Sequence, residues 1–238
     1  METRKVQLSG GTTYTVSLPK SWAQEQGIDA DSLVALHPNG DGSLVVEALG
    51  AGTVDERSAV FDVTTTGVDE LEQQLAALYN IGYDDVVLKD RKGHTDAQRR
   101  AIESAIDGLS GFELFEATDT RIQLRNLIDA TNIDIRKSAL RLRLVVLSMH
   151  SDAITAITDA DPELAQRVVD RDREADKLFA MVTRHFRRSL LDLREVEKLD
   201  HSRDRLFEYY YVCRQLERIA DHAVKMAQFV FETESTIP

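Results

Sequence analysis

Two long segments towards the end of the sequence carry apolar residues at helical spacing, and they constrain the fold more than any other feature. The first stripe consists of Leu164, Val168, Ala175, Phe179, Val182 and Phe186. The second consists of Leu206, Tyr209, Cys213, Leu216, Ala220, Ala223 and Ala227. An earlier segment, IDIRKSALRLRLVVLSMHSDAITAI, has the same period, and Asp161-Pro162-Glu163 is typical of a helix start. Long helices with short links predict an antiparallel three-helix bundle over residues 128–238, with its last helix beginning near Asp200.

Two pairs of acids, Asp172/Asp176 and Glu217/Asp221, interrupt these stripes at i,i+4 spacing. At about 100° per residue, the acids of both pairs lie about 40° and 80° from one reference position of their stripe, so both pairs occupy the same rim. Half-buried carboxylates in a helix interface lose hydration and destabilise the fold unless positive charge compensates them. A metal ion is one such compensation. Hard oxygen ligands suit iron, manganese or magnesium, and zinc is also possible.

The alternative is that these acids are ordinary rim charges on solvated helix faces. Arginines such as Arg173 and Arg218 lie close enough in sequence to pair with them. His222 follows Asp221 but falls at about 180° on the wheel, where it cannot join a shared ligand set. Cys213 lies at the centre of an apolar face, which indicates a buried and inert thiol.

The stretch RQLERIADHAVKMA resembles the signature of the PhoU family of phosphate-uptake regulators, and the resemblance covers about residues 128–232. That family builds three-helix bundles whose acid-x-x-x-acid motifs hold iron, zinc or similar ions. The resemblance implies that the metal ligands are Asp172, Asp176, Glu217 and Asp221. Family members typically have two three-helix repeats, whereas this sequence has one. Either the sequence is a fragment, or a second chain supplies the other half.

Residues 1–49 predict a small all-β domain with one short helix. RKVQLS and TTYTVSL alternate around Gly10-Gly11, Pro19 precedes the short helix SWAQEQG, and Gly27 ends it. SLVALHP and SLVVEAL flank Asn39-Gly40-Asp41-Gly42, a strong hairpin signal. Four short strands give too small a core for a monomer, so this domain predicts a homodimer.

This segment, GGTTYTVSLPKSWAQEQGI with the following SLVAL strand, resembles the SpoVT/AbrB swapped-hairpin family, which includes MazE-type antitoxins. The resemblance implies an intertwined dimer that binds duplex DNA through basic residues. The candidates are Arg4, Lys5 and Lys20, the only basic residues before position 50. The segment contains six acidic and three basic residues, so its net charge is −3. Charge alone therefore supports DNA binding only weakly, and the alternative is a module that only dimerises.

Residues 55–127 alternate strand and helix in the order β-α-β-α-β-β, which predicts a central α/β sandwich with its helices on one face. A turn is expected at Asp119-Thr120, and His94 after Gly93 is expected in a solvent-exposed loop. No residue pattern in this domain indicates chemistry. A spacer or sensor role is the expectation.

The whole sequence has a net charge of −12 and 29 basic residues, of which only 8 are lysines. An acid excess with scarce lysine suggests a protein of haloarchaeal type, which works in a high-salt cytoplasm. No signal peptide and no membrane-spanning run is evident, so a cytoplasmic protein without membrane insertion is expected. No phosphate-binding loop, nucleophile elbow or zinc-protease motif is present, which argues against an enzyme.

These features together predict a regulator of phosphate uptake and homeostasis, with a metal-binding bundle coupled to a DNA-binding dimer head. It would act on uptake genes, on a phosphate ABC transporter, or on the regulators of that transporter. The alternative is an antitoxin-like or structural AbrB-type DNA-binding dimer whose bundle has no metal function.

Overall fold

The computed structural model describes residues 2–38, 42–49 and 57–234. The chain divides into two compact units, Met1–Asp55 and Glu56–Pro238. The predicted multidomain class is confirmed: a small β-rich N-terminal part, a mixed sheet with helices, and a C-terminal helical bundle.

The first unit contains two separate antiparallel two-stranded ladders and one short helix. Its elements are β1 (Gln7–Ser9), β2 (Thr13–Thr15), α1 (Lys20–Glu25), β3 (Val34–Pro38) and β4 (Leu44–Ala48). β1 pairs with β2 across a turn in which Gly10 and Gly11 take φ of 62° and 81°, values that favour glycine. β3 pairs with β4, as the hairpin signal predicted, but turn residues 39–41 lie outside the described residues.

Little apolar surface is buried within this first unit. α1 contains no buried residue, and Leu8 and Tyr14, which lie opposite each other on the β1–β2 ladder, are both exposed. The exposed large apolar residues of this unit are Val6, Leu8, Tyr14, Val16, Leu33, Leu36, Leu44 and Leu49. With this much uncovered apolar surface, the described residues of the first unit bury only a small core.

The second unit begins with a four-stranded mixed sheet. Its elements are β5 (Ser58–Asp62), α2 (Val68–Ile81), β6 (Asp85–Lys89), α3 (Asp96–Asp107), β7 (Phe112–Ala117) and β8 (Arg121–Asn126). The strand order is β5-β6-β8-β7, and only β5 and β6 are parallel. The predicted order of strands and helices is therefore correct.

Both helices of this sheet cover the same face. Leu71 and Leu75 of α2 and Ile102 of α3 pack on alternate residues of the strands, including Val86 and Leu124. The opposite face is mixed: Val60 and Val87 lie there in register with the polar Gln123. There Gln123 Nε2 donates a hydrogen bond to Asp85 Oδ2 over 2.6 Å.

His94 is buried, so its expected place in an exposed loop is wrong. Its backbone N–H donates to the carbonyl oxygen of Asp119 over 2.7 Å, and its ring Nδ1 lies 3.0 Å from the same oxygen. These contacts hold the imidazole against the turn between β7 and β8. Its Nε2 has no hydrogen-bond partner among the described residues.

The bundle is formed by α4 (Ile135–Asp159), α5 (Pro162–Leu191) and α7 (Arg203–Glu234), with the short helix α6 (Leu193–Leu199) between the last two. Asp161 Oδ1 accepts the Leu164 backbone N–H over 3.0 Å and Pro162 takes the first helical position, as predicted. The last helix begins at Arg203, three residues after Asp200. Asp200 instead ends α6 in the left-handed conformation, with φ of 52°.

Two arginines of α5 join the bundle to the α/β domain through one carboxylate. Arg184 donates to Asp84 Oδ1 over 2.5 Å and to the carbonyl oxygens of Tyr79 and Tyr83. Arg188 donates to both oxygens of Asp84, over 2.8 and 2.6 Å. The side chain of Arg184 is 1% exposed, so its charge depends on this partner.

His185, on the same stretch of α5, fixes α6. Its Nδ1 lies 2.5 Å from Glu195 Oε1, and Arg188 Nε donates to Glu195 Oε2 over 3.1 Å. Burial lowers the pKa of His185, although the Glu195 carboxylate opposes this shift. Burial would raise the pKa of Glu195, but the hydrogen bonds and charges of His185 and Arg188 bring it below its usual value.

Replacing Asp84 with Asn should destabilise the second unit strongly. The substitution leaves the buried guanidinium of Arg184 without its carboxylate partner, while Arg188 keeps Glu195, and an uncompensated buried charge typically costs about 3–5 kcal/mol of unfolding free energy. Urea unfolding of wild type and Asp84→Asn measures this loss. Asp119→Asn is the matched control, because Asp119 pairs with Arg99 at the surface and its loss should cost less than about 1 kcal/mol. Equal effects of the two substitutions would contradict the role given to Asp84.

His185 should also make stability depend on pH. Its folded pKa is lowered, so the unfolded chain binds a proton that the folded chain does not. The stabilising contribution is therefore present above the ordinary pKa of 6.5 and is lost as the pH falls below it. The difference in unfolding free energy between wild type and His185→Gln should shrink from about pH 7.5 to about pH 5.5. A difference that is constant or grows in acid would contradict this assignment.

Candidate metal centre

The candidate site lies along the seam between α5 and α7. Small residues, among them Ala175 on α5 and Ala220 on α7, are fully buried there and allow the two helices to approach closely. The predicted apolar stripes form this interface. The acids next to the stripes are therefore carried to its rim.

The structure brings the four predicted acids together on this rim. Asp172, Glu217 and Asp221 are half-buried, and Asp176 is the most exposed of the four. Each pair lies on one helix, one turn apart, and the two pairs are close enough to influence each other electrostatically. The rim position that the helical wheels predicted for both pairs is what makes this approach possible.

The electrostatics of the four acids are those of a cluster of like charges. Asp176 remains open to solvent on one side, but the protein around it removes part of its hydration, which raises its pKa to about 6, and the charges of Asp172, Glu217 and Asp221 add to the shift. Burial raises the pKa of Asp172, with Asp221 contributing. Burial also raises the pKa of Glu217, with Asp221 and Asp172 adding and Arg214 and Arg218 opposing. The folded protein therefore holds negative charge here at a cost.

Within the described part of the chain, none of the four carboxylates makes a hydrogen bond or an ion pair. Asp172 Oδ1 is buried and has no partner. Neighbouring charges on α5 do have partners: Glu174 accepts from Arg141 over 2.7 Å, and Arg171 pairs with Asp152 over 3.1 Å. The four acids thus differ from these two neighbouring charges, each of which has a partner of opposite sign.

The donor set fits a hard cation, but the side chains do not form a closed cage. Among the described residues, no group of three or more His, Cys, Asp or Glu side chains is arranged to hold a metal ion. The buried, partnerless oxygen of Asp172 and the shared negative charge are the features that a cation would satisfy. Rotation of exposed side chains such as Asp176 would be needed to bring further oxygens to one point.

Two neighbouring residues do not contribute ligands to this rim. His222 is exposed on the far side of α7, as the wheel predicted. Cys213 is fully buried in the core, and burial raises the pKa of its thiol to about 11. A thiol in this state is neither a nucleophile nor a metal ligand at neutral pH.

The predicted DNA-contacting residues are all exposed in the first unit. Arg4 and Lys5 precede β1, and Lys20 is the first residue of α1. Arg4 donates to Glu2 over 2.7 Å, so part of its charge is offset within the same segment.

Comparison with known families agrees with this architecture. Residues 139–230 match the model of the PhoU domain. Residues 7–53 match the model of MazE, the bacterial antitoxin of the antidote-toxin recognition type. The prediction of a PhoU-like bundle behind a SpoVT/AbrB-like head is confirmed. No curated protein and no solved structure matches the chain.

Both matched models describe regulatory domains, in agreement with the lack of a catalytic motif in the sequence. Among the described helices, none combines the length and the apolar character that crossing a bilayer requires.

Proposed function

We propose that the protein regulates phosphate uptake and homeostasis, with a bundle that binds metal and a dimeric head that binds DNA. The match of residues 139–230 to the PhoU domain carries this proposal, and the MazE match supports an antitoxin-type head. The regulated target would be the promoter of uptake genes, a phosphate ABC transporter, or a regulator of that transporter.

In this proposal Asp172, Asp176, Glu217 and Asp221 hold the metal. The bound cation would be iron, zinc, manganese or magnesium, and it would neutralise the charge that these acids share. Its role in the bundle would be to hold α5 and α7 together. The partnerless Asp172 oxygen and the raised pKa of Asp176 support this assignment.

The second candidate is an AbrB-type DNA-binding dimer whose bundle only assembles. The lack of a preformed metal cage among the described residues favours it, as does the match of the head to MazE. Elemental analysis of the purified protein separates the two candidates, because only the first predicts bound metal.

The dimeric head is supported by the exposed apolar residues of the first unit. Leu8 and Tyr14 form a cross-strand pair that the described residues of the same unit leave exposed. A second copy would cover this surface and would also double the number of basic side chains. Two copies of Arg4, Lys5 and Lys20 on one surface would give DNA phosphates six positive charges, twice the three that each copy carries.

Changing Glu217 to Gln should reduce bound metal sharply and leave the metal-free fold intact or slightly more stable. The substitution removes one ligand and one of the mutually repelling charges. Thermal melting of wild type and Glu217→Gln, each with and without chelator, measures this. Metal should raise the melting temperature of wild type much more than that of the variant.

Glu174→Gln is the matched control, because Glu174 lies on α5 and is paired with Arg141. Its loss should lower stability by less than about 1 kcal/mol with or without metal and should leave the metal content unchanged. A purified wild type without metal, whose melting chelator does not alter, would show that the four acids are ordinary rim charges.

Substituting Leu8 and Tyr14 together with Lys should convert a dimer into a monomer. The two lysines would place like charges in the centre of the proposed interface. Light scattering on dilute protein gives the mass of each form. Thr15→Lys is the control, because Thr15 lies next to Tyr14 on β2 and is also exposed. This variant should remain dimeric. A well-folded wild-type monomer at micromolar concentration would rule the dimer out.

Replacing Arg4, Lys5 and Lys20 with Ala should weaken DNA binding and flatten its salt dependence. Each lost phosphate contact should reduce the slope of log K against log salt by roughly 0.9. Binding to the upstream DNA of the protein's own gene, titrated over a range of salt, measures the slope. Lys92→Ala with Lys137→Ala, outside the head, should leave it unchanged. If wild type binds no such DNA at low salt, the head only dimerises.

A further inference from the structure

A groove of about 360 Å³ runs between the N-terminal parts of α4 and α7, whereas the four acids of the candidate metal centre lie between α5 and α7. Its floor is formed by Ala139, which is 9% exposed, and by the half-buried Tyr209 and Leu216. Leu140 and Val212 form its two sides and are 43 and 52% exposed. Sites for small molecules typically have about 300–1,000 Å³ and a mostly apolar lining, so this groove has the size and surface of such a site.

The charges that line the groove are mainly positive. Glu208 is its only acid, and that carboxylate forms an ion pair with Arg205 of the same helix. The other two charged lining residues are Arg136 and Arg143, and within the described part of the chain neither makes a hydrogen bond or an ion pair. The groove therefore holds two uncompensated positive charges in a protein whose net charge is −12.

The two unpaired arginines share one edge of the groove. Arg136 and Arg143 are seven residues apart on α4, so they lie about 10 Å apart along the helix and within about 20° of one line. Leu140 lies between them. A guanidinium binds a carboxylate or a phosphate through two parallel hydrogen bonds. An anionic group placed above Leu140 would therefore meet one guanidinium on each side.

We infer that this groove binds a single-chain anionic amphiphile, with its carboxylate or phosphate head between Arg136 and Arg143 and its chain on the apolar floor. At about 30 Å³ for each water-sized group, 360 Å³ holds about twelve such groups. One chain of roughly ten carbons with its head fits this space, and a two-chain lipid does not. The site shares no residue with the proposed metal, DNA or dimer contacts.

Decanoate, which has about twelve non-hydrogen atoms, is the probe that matches this volume. Isothermal titration calorimetry of the full chain at about pH 8, where the carboxylate is ionised, should show one saturable site. Binding should weaken as salt is added, because both arginines are exposed. Decyltrimethylammonium has the same chain with a positive head, and acetate has the head without the chain. Each should bind roughly tenfold more weakly or less, because each lacks one of the two contacts.

Replacing Arg136 and Arg143 together with Gln should weaken decanoate binding by roughly tenfold or more, because both partners of the head are lost. The matched control is Arg167→Gln with Arg187→Gln, which removes the same charge from exposed positions on α5, outside the groove. That control should bind decanoate as wild type does. All four side chains are exposed, so both variants should melt at nearly the temperature of wild type, which separates lost binding from lost folding.

Three calorimetric results would overturn the inference. Decanoate could show no saturable binding, decyltrimethylammonium could bind as tightly as decanoate, or the arginine variant could bind decanoate undiminished. Sedimentation with phosphatidylglycerol vesicles tests the other source of an anionic head. Vesicle binding that requires the same arginines, without binding of free decanoate, would also contradict the inference and would identify the groove as a contact for a membrane surface.

Discussion

The larger unit depends on the carboxylate of Asp84. This single group faces both Arg184 and Arg188, and Arg184 is otherwise almost completely enclosed. Without Asp84, the guanidinium of Arg184 would be buried at the junction of the α/β domain and α5 without its carboxylate partner, and Arg188 would be left with Glu195. An uncompensated buried charge is among the costliest defects that a protein interior can contain. The sheet and the bundle form one compact unit, and this compensated charge lies at their junction.

Most of the fold could be predicted from the sequence because most of its signals are local. Asp161 and Pro162 mark the start of α5 through contacts within one turn, and the apolar stripes fix which faces meet. His94 was placed wrongly because its burial comes from Asp119, 25 residues further along the chain. The short helix α6 was missed for a related reason. Its Glu195 is held by residues of α5, and nothing in its own sequence indicates burial.

The position of the four acids on one rim could be predicted in the same way, whereas their role as metal ligands stays a prediction. Helical spacing placed Asp172 and Asp221 on one rim, and the structure brings them within electrostatic reach. The orphaned oxygen of Asp172 could not be predicted, because it depends on side-chain packing across two helices. The arginine pair of α5 has the same i,i+4 spacing as the acids. Its significance stayed hidden because its partner, Asp84, lies about a hundred residues earlier.

Helix α5 is unbroken over 30 residues, and both the acidic rim and the arginine pair are built on it. Asp176 and Arg184 are separated by about 12 Å along its axis, a little over two turns. An α-helix is stiff along its axis, since its backbone hydrogen bonds resist stretching and bending. Because Arg184 and Arg188 of this same helix bind Asp84 in the loop before β6, a displacement of α5 at the acidic rim would also move the Asp84 contacts. The α/β domain and the seam between α5 and α7 therefore share one continuous element, helix α5.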